Sequence, residues 1–154
     1  EPNHSVRRRK LEAWLDRGHG ECWLRRAEVG NRVEDILRAF LRPALESVDT
    51  EDGDTFRMLR ARLAFEREEV RRRVLDKAFN QSSQMALQAL AKSLPHLSAE
   101  ELHWRFHFLL GSMVYTMAHP GRIESLSDEK VDTRDWEKAL ERLITFAAAG
   151  LRAP

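Results

Sequence analysis

The stretch LHWRFHFLLGSMVYTM, residues 102–117, is apolar on two sides of a single helix. At about 100° per residue, Leu102, Phe106, Leu109, Leu110, Met113 and Met117 share one arc, while Trp104, Phe108, Gly111 and Tyr115 fall nearly opposite. Arg105, Ser112 and Thr116 supply only a narrow polar edge. A helix of this kind must be covered on both sides. One side belongs in the core of its own domain, and a small domain has few elements left to cover the other.

The remaining sequence sets the surroundings of that helix. At 154 residues the chain has the length of one domain, taken as 1–154. Its seven glycines and five prolines separate long stretches rich in Ala, Leu, Glu and Arg, and no segment sustains a period of two. The expectation is an all-α domain of about six helices. The first spans about 3–17, with Leu11, Trp14 and Leu15, and ends at Gly18-His19-Gly20. A second follows Asn31 as N-cap and carries Val33, Ile36, Leu37, Phe40, Leu41, Ala44 and Leu45, with Pro43 bending its last turn. After an acidic loop at 49–54, the third covers roughly 55–65, with Phe56, Leu59 and Leu63 on one face.

A long fourth helix is expected over 68–94, with Val74, Leu75, Ala78, Phe79, Met85, Ala86, Ala89 and Leu90 inward and Pro95 as its stop. Ser98 and Glu101 have capping-box spacing for the fifth helix, which runs to about Ala118 and closes at His119-Pro120-Gly121. A polar loop over 122–132 leads to Thr133 as cap of the last helix, 134–151.

That last helix has its own apolar arc: Trp136, Ala139, Leu140, Leu143, Ile144, Phe146, Ala147, Gly150 and Leu151. Large and small residues alternate along it, so neighbouring helices can approach closely. Two such antiparallel helices make half of a four-helix bundle, and a C2 homodimer supplies the other half. The expected dimer interface is Trp104, Phe108, Gly111, Tyr115, Trp136, Ala139, Leu140, Leu143, Phe146 and Ala147. The competing reading is a monomeric bundle in which the fifth helix is surrounded by its own chain.

Chemistry narrows the function classes. Lys and Arg total 26 against 25 Asp and Glu, a balance unlike that of a dedicated nucleic-acid or membrane-surface binder. The basic runs at 7–10 and 71–73 spread around their helices and read as solvated surface. A single Cys22 excludes an internal disulfide framework and fits a reducing, cytoplasmic setting. No apolar run spans a membrane, and the start is not a signal peptide. His103 and His107 have the spacing of a two-histidine metal clamp, but Trp104 stands where zinc hydrolases carry Glu, and no third ligand is near in sequence. No phosphate loop, nucleophile elbow or Cys/His pairing is present, so the chain reads as neither an enzyme nor a metal or cofactor protein.

A soft apolar pocket is the better candidate site. Phe40, Phe56, Leu59, Leu63, Phe79, Met85, Phe106, Leu110, Met113 and Met117 supply its apolar walls, and Ser82, Ser83 and His107 add polar groups suited to an amphipathic small molecule. The residues alone favour ordinary core packing with Met as filler over such a pocket.

The segments Leu94-Pro95-His96-Leu97-Ser98, Glu101-Leu102 and His103 through Tyr115, with Glu34 through Pro43, Phe56 through Leu59 and the Trp136 helix, resemble the C-terminal domain of TetR-family transcriptional regulators. The resemblance covers essentially the whole chain and is most specific from Trp104 to Gly111. It implies a homodimer joined by the last two helices and a pocket for a hydrophobic effector, with a fatty acid or acyl thioester as the first choice. It also implies a repressor whose operator DNA is held by an N-terminal helix-turn-helix head. That head has no counterpart in this sequence, which is expected to be a piece of a longer protein. The alternatives are a dimerisation module without ligand and a metal protein built on His103 and His107.

Overall fold

In the computed structural model, the described residues are 32–46, 61–62, 65–72, 79–118 and 121–154. They form six helical segments: α1 (Val33–Leu45), α2 (Glu68–Arg71), α3 (Asn80–Ser93), α4 (Ala99–Ala118), α5 (Gly121–Leu126) and α6 (Trp136–Arg152). No strand occurs among them. The fold is all-helical, as the sequence implies. The first predicted helix and nearly all of the third lie outside the described residues.

At the centre is α1, packed against α3, α4 and α6. Its predicted arc is the core: Val33, Ile36, Leu37, Leu41, Ala44 and Leu45 are buried, and Phe40 packs against them half-buried. The cap differs from expectation. Arg32, not Asn31, is the N-cap residue, in extended conformation and without a side-chain hydrogen bond. Its carbonyl instead accepts from Asp35 N and Ile36 N at 3.1 and 3.2 Å. Pro43 sits in the last turn without ending the helix early.

The long fourth helix of the sequence reading is interrupted. Phe79 has φ −125° and ψ −17°, so α3 starts only at Asn80. The local reason is a run of poor helix formers, Asn80, Ser82 and Ser83, whose side chains compete for backbone groups. Ser82 Oγ donates to the Phe79 carbonyl at 2.9 Å. At the other end Leu94 leaves the helical region at φ −127° and ψ 61°, as a residue preceding proline does.

Ser98 caps α4 through Oγ, which accepts from Glu101 N at 3.1 Å. The reciprocal half of the box is replaced, because the Glu101 carboxylate accepts instead from Arg105 Nε at 2.8 Å. The expected polar loop over 122–132 contains α5. Thr133 is not the cap of the last helix: its N–H and hydroxyl both donate to Glu124, at 2.9 and 2.5 Å. Asp135 takes that place, accepting from Lys138 N at 3.0 Å. A carboxylate at this position also suits the positive end of the helix dipole.

Candidate functional site

The two arcs of α4 meet different fates. Leu102, Phe106, Leu109, Met113 and Met117 are buried, with Leu110 half-buried beside them. On the opposite arc Trp104, Phe108, Gly111 and Tyr115 are exposed. The polar edge needs no outside partner, because Ser112 Oγ donates to the Phe108 carbonyl at 2.9 Å and Thr116 Oγ1 to the Ser112 carbonyl at 2.8 Å. Hydroxyls bonded back into their own helix can sit against a neighbour without a desolvation penalty.

Antiparallel to α4 lies α6, fixed by Arg105. Its guanidinium donates to the carbonyls of Gly150, Leu151 and Ala153 at 3.1, 3.1 and 2.7 Å, holding the end of α6 against the first turns of α4. On α6, Phe146 is exposed as well. Here the sequence expectation needs correction. Leu140, Leu143 and Ala147, expected in the dimer interface, are buried within their own chain, and Trp136 and Ala139 are half-buried. The cause is α1, which takes most of the α6 apolar arc for the core. Arg42 caps this contact, its guanidinium 5.6 Å from the Trp136 ring centroid. Of the expected interface, Trp104, Phe108, Gly111, Tyr115 and Phe146 are the residues that stay exposed, and Gly150 is exposed too.

Among the residues expected to line a pocket, Phe106, Met113 and Met117 are buried, and Phe40, Phe79, Ser83 and Leu110 are half-buried. The Phe40 and Phe106 rings touch, with centroids 5.3 Å apart and planes tilted by 45°. Phe56, Leu59 and Leu63 lie outside the described residues. His107 is exposed and belongs to the outer face: its ring stands edge-on to Trp104 at 5.8 Å and 5.9 Å from Phe108. The sequence expectation sets it beside the core arc, but at about 100° per residue it lies nearer the middle of the outer arc, which is where the structure exposes it.

His103 is exposed as well, its Nδ1–H donating to the Ala99 carbonyl at 2.6 Å. Among the described residues no three His, Cys, Asp or Glu side chains gather as a metal site. None of their helices is long and apolar enough to cross a membrane.

None of the curated proteins matches the chain. A family model does, that of the tetracyclin repressor-like C-terminal domain, over residues 38–150. The matched region runs from the middle of α1 to the last turn of α6, taking in both faces of α4, and the chain belongs to this TetR C-terminal domain family.

Proposed function

We propose that this chain is the effector-sensing and dimerisation domain of a TetR-type transcriptional repressor acting in the cytoplasm. The observation that carries the reading is the exposed aromatic face of α4 and α6. An aromatic patch of this extent on a small domain marks an interaction surface. In a protein of this family a second copy is its natural cover, because an isologous patch completes itself.

The effector is proposed to be a hydrophobic molecule, a fatty acid or acyl thioester. It would enter beside the half-buried Phe40, Phe79, Ser83 and Leu110 and displace contacts around Phe106, Met113 and Met117. Methionine and phenylalanine walls can re-pack around a chain of variable length. Bound ligand would favour one arrangement of the dimer and so change the spacing of two operator-binding heads, where half-site geometry is strict. Coupling of about 1–3 kcal/mol is enough for such a switch. The direct Phe40–Phe106 ring contact favours a second reading, a dimerisation module whose interior is filled by its own side chains.

Two measurements test the proposal. Sedimentation at micromolar concentration should give twice the 17.9 kDa monomer mass. Fatty acids at 100 times their Kd should stabilise the fold by about 2.7 kcal/mol and raise the melting temperature. A dimer without any thermal response across chain lengths supports the second reading, and a clean monomer overturns both.

A further inference from the structure

Gly111 lies near the middle of the 20-residue α4, where glycine costs about 1 kcal/mol relative to alanine. Nothing among the described residues calls for it. A Cβ placed there meets no atom within 4 Å, and its φ is not in the left-handed region. The residue is exposed and shares its arc with Trp104, Phe108 and Tyr115. Gly150, exposed in the last turn of α6, likewise has open space where a side chain would go. A glycine without an internal reason, set among large exposed rings, is explained by something outside the chain that must come close to the helix backbone.

We propose that a second copy of this chain crosses α4 at Gly111, so that the two-fold axis passes beside this residue. Trp104 and Phe108 then close over the crossing on one side and Tyr115 on the other. This inference rests on the dimer reading above and adds to it the crossing point.

The area and the charge both fit a second copy. Trp104, Phe108, Tyr115 and Phe146 are 54, 62, 55 and 70% exposed. If an aromatic side chain presents roughly 150–250 Å², covering these four removes about 480 Å² per copy. That is more than half of the roughly 800 Å² per partner of a standard interface. A formal charge of +1 leaves two copies little net repulsion to overcome. Only a second copy brings the same small residue to the same point, which lets both backbones approach at once.

The test compares the chain with Gly111→Ala and Gly111→Leu by sedimentation equilibrium, with circular dichroism to follow helix content. Because the position is open within the chain, both variants keep the wild-type helix content. The Ala variant dimerises at least tenfold more weakly, and the Leu variant is monomeric where the wild type is dimeric. A dimeric wild type whose Kd is unchanged by both substitutions overturns the crossing at Gly111 and leaves the dimer reading standing. A monomeric wild type overturns both.

Discussion

Arg105 carries more structure than its place on a narrow polar edge suggests. A helix ends with carbonyls that have no internal partner and with the negative end of its dipole. One guanidinium meets three such carbonyls at the end of α6 while its Nε is held by Glu101. Planar donors in a fixed fork suit this work better than an ammonium does. Arg105→Ala should therefore lower stability by about 1–3 kcal/mol, the worth of charged hydrogen bonds near a wet chain end. For a domain of this size that is a melting-temperature drop of roughly 3–8 °C. Arg105→Lys should fall between the two. If the Ala variant melts with the wild type, water replaces the guanidinium at those carbonyls without loss.

At the scale of elements, α1 and α6 are held in register by one stripe. Glu34, Arg38 and Arg42, four residues apart, meet Arg152, Glu141 and Trp136 in turn. The Arg152 hydrogen bonds hold the Glu34 carboxyl down to about 2 from its usual 4.5, helped by its own backbone N–H. A carboxylate held low in the folded state contributes stability above its unfolded pKa and loses it as the pH falls toward the folded one. The melting temperature should thus be level near neutrality and fall as the pH drops from about 4.5 to about 2. Asp132, held to about 2 by Arg134, adds in the same direction. Glu34→Gln should lower the neutral plateau and flatten the acid slope. An unchanged slope would assign the acid transition to other carboxylates.

These elements also show how far sequence can be read. The core arc of α1 and the two arcs of α4 followed from a period of 3.6 alone, because burial of one stripe is what that period encodes. Ser98 caps α4 as its spacing implies, whereas two caps fall elsewhere, at Arg32 beside Asn31 and at Asp135 beyond Thr133, and the Glu101 carboxylate turns from the box to Arg105. The α6 residues Leu140, Leu143 and Ala147 are buried within their own chain for a related reason. An apolar arc states that it will be covered but not by which neighbour, and α1 won the competition. His107 sits at a margin between the arcs, nearer the outer one by helical angle, and its ring lies beside Trp104 and Phe108 there. Pairing across the chain, unlike the helical period, is a property of the folded molecule.

On the scale of the whole molecule, α4 joins two environments through one rod. Its inner arc packs on α1, α3 and α6, and its outer arc carries the exposed rings. On the proposed reading, a core that shifts to admit an effector would move or rotate this helix, and with it the face proposed for a second copy. The proposed dimer would also link stability to concentration, because only the folded chain would associate. Raising the chain concentration should therefore raise the melting temperature of the wild type. Phe108→Glu places a carboxylate in the outer face at a position 62% exposed, where it does not disturb the chain's own packing. Covering that charge in a dimer would cost several kcal/mol unless it found a partner. The variant should fold and melt at a temperature independent of concentration, while a fatty acid still raises that temperature if the effector site lies wholly within one chain. Loss of the ligand response together with the dimer would place the effector site under the control of the second copy. A concentration dependence equal to that of the wild type would mean that the rings of α4 and α6 are not the surface on which two copies meet.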